Sequence, residues 1–232
     1  MLHVLVHPRD SMYPAPTSPT VDIIAVHGLN GHYMNTWTDK PGNTIWLKDL
    51  LPEKLPGCRV MTFQYNASFT SMSAGRVRDA ANTLLQLLRD ERDDPIYLHV
   101  PIVFVGHSLG GIVIKQAISQ AHDDSGYDIK KIAKCIKGIV FFGTPHRGSD
   151  IANWAALAKR IGGPVIPGPN RGFFHLLQTN SEELYKITED FRPLSANYAI
   201  VSFYEEYPYP TLGKVIVERI LRSWDCPMNE DL

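Results

Sequence analysis

The chain has 232 residues, 44% of them hydrophobic, which is enough to bury one sizeable core in a single domain. Lysine and arginine number 23 against 24 aspartates and glutamates, and the net charge of −1 leaves no electrostatic footprint for nucleic acid or an acidic membrane surface. Cys58, Cys135 and Cys226 fall in no framework or C-x-x-C spacing, which argues against a disulfide scaffold or a zinc site and for reduced intracellular thiols.

Residues 1–20 are expected to form a proline-rich leader, with four prolines between positions 8 and 20, and the fold to begin at Val21. Met1 to Asp10 holds two histidines and a proline where a secretion signal needs an unbroken apolar stretch, so the chain is not expected to be secreted. No apolar run reaches the length of a membrane span, and a peripheral membrane contact stays open.

From Val21 onward apolar runs alternate with helical patterns. Ile23 to Val26 reads as a strand ending at His27-Gly28, and Arg59 to Tyr65 as a second strand. Between Met72 and Arg92 the residues Val77, Ala81, Leu84 and Leu88 recur at spacings of three and four, the mark of a core-facing helix. Ile102 to Val105 is a short β-branched run suited to a strand buried on both faces, and a helical pattern follows it through Ile112, Val113, Lys115, Ala117 and Ile118. Ile136 to Phe142 and Tyr198 to Tyr204 read as further strands. This alternation predicts an α/β fold with a mostly parallel sheet and helices on both faces. Residues 150–192 break the alternation and read either as a cap or lid over the sheet's carboxyl edge or as a packed structural excursion.

The chemistry concentrates at Gly106-His107-Ser108-Leu109-Gly110, a G-x-S-x-G sequence between a strand and a helix. Glycines two residues either side of a serine permit a strained turn that thrusts the hydroxyl outward, so Ser108 is the candidate nucleophile. Such a serine needs backbone N–H groups to hold an oxyanion, and the fold logic assigns these to Leu109 and to Leu29, in the glycine-bearing loop after the first strand. His27 reads as a histidine that fixes this loop more readily than as a base, because it precedes the nucleophile in the chain.

Four stretches, VHGLNGHYMNTWT, VFVGHSLGGIVIKQA, VFFGTPHRGSD and IVSFYEE, carry a resemblance to a known family. Together they resemble the serine-esterase branch of the α/β-hydrolases, the branch of the serine-active-site-containing proteins and of the lipase-like domains of fungal nucleotide-binding signalling proteins. The likeness runs from about Val21 to Glu218. It implies an α/β-hydrolase fold, no cofactor, a small-molecule acyl-ester or lipid substrate, and a catalytic series Ser, acid, His in chain order. Ser108 matches the nucleophile and Glu205 the acid, with Glu206 and Asp150 as alternative carboxylates. A location in the cytoplasm, in the mitochondrion or at the endoplasmic reticulum membrane is likewise implied by the resemblance.

The family's histidine follows the acid, yet no histidine follows His175 in this sequence. Residues 219–232, RILRSWDCPMNEDL, form a divergent tail in place of the expected last strand and Asp-His loop. Truncation or divergence would produce this, and a chain so built is expected to be nearly inactive while still able to bind an acyl ligand. His146, after a strand's carboxyl end, is the substitute base to weigh, since a base must come within about 3 Å of the hydroxyl. His175 is a poorer one, and His107 adjoins the serine on a turn that points neighbours apart.

Overall fold

A computed structural model of the protein describes residues 1–8, 19–68, 73–124, 126–146 and 184–203. In chain order these residues form β1 (Leu2–Val6), β2 (Val21–Val26), β3 (Thr38–Asp39), β4 (Thr44–Ile45), α1 (Trp46–Asp49), α2 (Leu51–Lys54), β5 (Cys58–Phe63) and α3 (Ala74–Glu91). Then follow β6 (Ile102–His107), α4 (Leu109–Asp123), α5 (Tyr127–Cys135), β7 (Ile136–Phe142) and β8 (Ala199–Phe203). Six strands make one sheet in the order β1-β5-β2-β6-β7-β8, with β1 antiparallel to β5 and every other pair parallel.

Strand alternation sorts the side chains onto two faces. Ile24 and Val26 of β2, Met61 and Phe63 of β5, Ile102 and Phe104 of β6, and Ile139 and Phe141 of β7 join the larger core, against the buried stripe of α3 and nearly all of α4. Ile23, Ala25, Val60 and Val105 face the other way, onto a smaller core closed by Trp37, Trp46, Leu47 and Leu51. Both faces of the central strands are therefore apolar, which is why they read as continuous runs. Helix α3 starts where Ser73 accepts a hydrogen bond from the Arg76 N–H at 3.2 Å, an N-cap, and buries Val77, Ala81, Leu84 and Leu88 as its spacing predicts.

One expectation changes. The sheet takes up residues 2–6, ahead of the Val21 start, and the leader expected over 1–20 is therefore a strand at its beginning. Leu2 lies in the larger core, and the Met1 ammonium donates to the Gln64 carbonyl at 2.8 Å. Histidines and Pro8 broke the apolar pattern there, but an antiparallel edge strand needs only one buried face. The segment read as a lid or as a packed excursion is described only at its end, where residues 184–191 are helical and put Leu184, Ile187 and Phe191 into the core. The rest of that segment, residues 150–183, lies outside the described residues, as does 204–232.

Among the described residues no helix is long and apolar enough to cross a membrane. Cys58 and Cys135 are free and buried.

Candidate active site

β6 ends at His107 and α4 begins at Leu109, so Ser108 alone makes the turn between them. Its backbone has φ 51° and ψ −120°, a region that costs a residue with a side chain about 1–3 kcal/mol and persists only where neighbours impose it. Here they do. The Ser108 N–H donates to the Phe142 carbonyl at 2.8 Å, and its own carbonyl accepts from the Gly111 N–H at 3.1 Å and from Thr144 Oγ1 at 3.2 Å. A methyl at Gly106 would come within 2.8 Å of Gly111 Cα, and one at Gly110 would overlap the Val26 carbonyl oxygen. The glycines thus let β2, β6 and α4 meet at one point. Ser108 is 1% exposed, and its Oγ has no hydrogen-bond partner among the described residues.

The loop after β2 passes directly beside this serine, because a methyl at Gly28 would lie 2.8 Å from Ser108 Cβ. Leu109 is the first residue of α4, so its N–H has no intrahelical partner. Among the described residues no hydrogen bond engages the Leu29 N–H. Two backbone donors, one in the loop that passes beside Ser108 and one at the start of α4, are therefore unengaged among the described residues.

His27 is fully buried and fastens the loop. Its ring stacks on Tyr65 with centroids 4.6 Å apart, Nδ1–H donates to the Gly28 carbonyl at 2.9 Å, and the Tyr65 hydroxyl donates to the His27 carbonyl at 3.0 Å. Burial pushes its pKa down to about 4, so the imidazole is neutral near pH 7. Nε2 has no partner among the described residues. Beside this loop opens a cavity of about 500 Å³ lined by Asn30, Gly31, Gln64, Tyr65, Asn66, Ala67 and Ser68.

His146 does not take the position expected of a base. Its Nε2 faces Ser202 Oγ at 3.3 Å, its ring stands edge-on to Phe141, and the Ser108 hydroxyl is not hydrogen-bonded to it. Register explains this: His146 lies four residues beyond Phe142, the residue opposite His107, and is drawn toward β8 instead of β6. His107 packs edge-on against Trp37, on the smaller-core side. Glu205, Glu206, Asp150 and His175 lie outside the described residues.

Two contributors were not singled out by the sequence. Thr144 holds the Ser108 carbonyl and packs on Gly111. Lys115 is wholly buried two helical turns after the serine, where its Nζ donates to the Pro145 carbonyl at 3.5 Å and to Thr188 Oγ1 at 3.4 Å. Its only sequence signal is a cation inside the apolar run Ile112 to Ile118.

A mostly parallel sheet whose middle strand delivers a serine, through a strained turn, onto the start of a buried helix defines the α/β-hydrolase class. Solved structures agree on the fold. The lipase BlEst2 of Bacillus licheniformis aligns over 91% of this chain and 74% of its own at a TM-score of 0.57 and 17% identity. Phospholipase PlaB of Legionella pneumophila aligns over 81% of this chain and 40% of its own at 0.51 and 18%. Within the class, residues 21–160 match the family described as "Putative serine esterase (DUF676)", and the chain belongs to that family. Among curated relatives, Protein SERAC1 of Bos taurus is 23% identical over 227 residues, 88% of this chain and 32% of its own length. The Danio rerio protein of the same name is 24% identical over 209 residues, 81% of this chain and 30% of its own. The chain thus spans about a third of the curated relatives it matches.

Proposed function

We propose that the protein is a serine hydrolase of carboxylic esters, with Ser108 as nucleophile and the Leu29 and Leu109 N–H groups as oxyanion donors. Ser108 Oγ attacks the acyl carbonyl carbon, the carbonyl oxygen takes the negative charge between the two amides, and collapse expels the alcohol, which leaves with the serine's proton. Water then releases the acid and restores the serine. Glu205, two residues beyond β8, is the proposed acid, and the cavity lined by Asn30, Gln64 and Asn66 is the proposed seat of the ester's polar part. An acyl or lipid substrate is favoured by the names of the structural relatives, a lipase and a phospholipase.

The observation that carries this reading is the strained Ser108 backbone at the junction of β6 and α4, with a buried Oγ that has no partner among the described residues. The same observation bears on rate. No described histidine reaches Oγ, and serine hydrolases that lose one triad member slow by about four to six orders of magnitude while the oxyanion hole keeps about a thousandfold over water. A site that supplies no base to Ser108 is therefore expected to turn over slowly. With no histidine at Ser108 Oγ among the described residues, a second reading is a hydrolase-like domain that binds an acyl ligand without turning it over. Hydrolysis of a short p-nitrophenyl acyl ester separates the two. Slow release that vanishes in Ser108→Ala supports the esterase; equal rates in both proteins would favour the binding domain.

A further inference from the structure

The loop after β7 is tied down at every residue. The Phe142 carbonyl accepts the Ser108 N–H at 2.8 Å, and the Gly143 N–H donates to the Phe203 carbonyl at 2.9 Å. Thr144 Oγ1 donates to the Ser108 carbonyl at 3.2 Å, and His146 Nε2 meets Ser202 Oγ at 3.3 Å. Pro145, between them, has no N–H to offer, and its carbonyl is taken by Lys115 Nζ.

Lys115 is an unusual residue to find there. It is 0% exposed, on a helix whose other buried positions are apolar or small, and no ion pair reaches it among the described residues. An ammonium taken out of water without a carboxylate is costly, and burial lowers its pKa from 10.5 to about 7. Its neighbours are two neutral oxygens, the face of Phe141, whose centroid lies 5.6 Å away, and the His146 imidazole, which burial and the charge of Lys115 keep neutral. A methionine would fill the same volume without that penalty. Among the described residues packing gives no reason for a lysine, whereas the geometry of its contacts does. Pro145 belongs to the loop that grips Ser108, Thr188 to the helical residues 184–191, and Lys115 to the helix that Ser108 begins.

We propose that Lys115 is a positioning residue for Ser108: its buried head group clasps the loop 143–146 and the helical residues 184–191 to α4, and so holds the serine's turn in its strained form. This rests on the reading of Ser108 as nucleophile for its meaning, though not for its test. A long donor is needed because Pro145 O and Thr188 Oγ1 are approached from two turns further along α4. Below about pH 7, where the amine is protonated, charge strengthens both bonds, since a hydrogen bond from an ionised donor is roughly twice as strong as a neutral one.

The test compares Lys115→Met and Lys115→Gln by residue-resolved amide hydrogen exchange and thermal unfolding. Met removes the donor and the charge; Gln keeps a neutral donor of similar reach. The clasp predicts opposite rankings. Met should melt higher than Gln, while the Ser108 and Gly143 amides exchange at least tenfold faster in Met than in the wild type and recover most of their protection in Gln. Amides at the centre of β6 should not lose protection in either variant. A role in packing alone predicts that Met protects the elbow at least as well as Gln, and that result would overturn the proposal. Unchanged exchange at Ser108 and Gly143 in Met would also overturn it, as would failure of the Gln variant to fold. Loss of serine-dependent esterase activity in the wild type would strike only the functional reading, because exchange is measured without substrate.

Discussion

Two buried polar clusters stand at opposite ends of the parallel strands, and they are built on opposite principles. At the amino ends, Asp22 of β2 receives both a bidentate pair of hydrogen bonds from Arg59, at 2.8 Å each, and a further bond from Arg92. Both guanidinium groups find further partners: Arg59 reaches the Glu91 carbonyl at 3.2 Å and lies over the Tyr97 ring, and Arg92 reaches the Tyr97 and Val100 carbonyls at 2.6 and 2.8 Å. At the carboxyl ends, Ser108 Oγ and His27 Nε2 have no partner among the described residues and Lys115 holds only neutral oxygens. A burial that satisfies every group favours a unique fold, whereas one that leaves polar groups unpaired stores free energy at a site. The first cluster accordingly reads as structural and the second as functional.

Breaking the satisfied cluster should have the largest effect. Asp22→Ala leaves two buried guanidinium groups without their carboxylate and is expected to cost about 3–5 kcal/mol in denaturant unfolding. A loss below ~1 kcal/mol would remove the contrast between the two ends.

Changes at the unsatisfied cluster should go the other way. In Lys115→Met the folded state no longer carries a disfavoured ammonium, a penalty of about 5 kcal/mol for a pKa lowered from 10.5 to about 7, and forgoes two hydrogen bonds worth about 1 kcal/mol each, so stability should rise on the order of 3 kcal/mol below pH 7. The lysine of the unfolded chain keeps its proton to about 10.5 while the folded one releases it near 7, so the unfolded state binds more protons between those values and wild-type stability climbs with pH across that window. The gain from methionine should therefore shrink from pH 7 to 10.5 and be gone above it. Unfolding curves at several pH values check this; a gain that does not change with pH would mean that packing, not charge, is responsible.

His27 adds an effect of the same sign at acid pH. Its pKa falls from 6.5 unfolded to about 4 folded, so its neutral burial contributes fully above pH 6.5 and is lost as pH falls from 6.5 to 4. A His27→Phe variant should flatten that part of the stability profile. Smallest of all is Ser108→Ala, which removes a buried hydroxyl with no partner and should leave stability unchanged or raise it by ~1 kcal/mol, while a clear loss would show that the hydroxyl is a structural group.

The sequence carried the central strands and the elbow plainly, because both faces of β2, β5, β6 and β7 are apolar and glycines flank Ser108 in a G-x-S-x-G spacing. It did not show either polar cluster. Asp22, Arg59 and Arg92 are separated by 37 and 70 positions, and a charged residue in a strand carries no local sign of its partner. Lys115 was legible only as a helical residue, since its burial comes from the loop after β7 and from residues 184–191, both distant in the chain. Helix α5 escaped notice for a different reason: nine residues give too few repeats to establish a period. β1 was passed over because its inward residues alternate with histidine and exposed positions.

Treatment of the folded protein with a fluorophosphonate probe reports whether Ser108 is a nucleophile, because attack by the serine oxygen on phosphorus expels fluoride and leaves a mass increment on one residue. The account predicts slow labelling, confined to Ser108 and absent in Ser108→Ala. Equal labelling of both proteins, or none in a wild type shown to be folded, would contradict it.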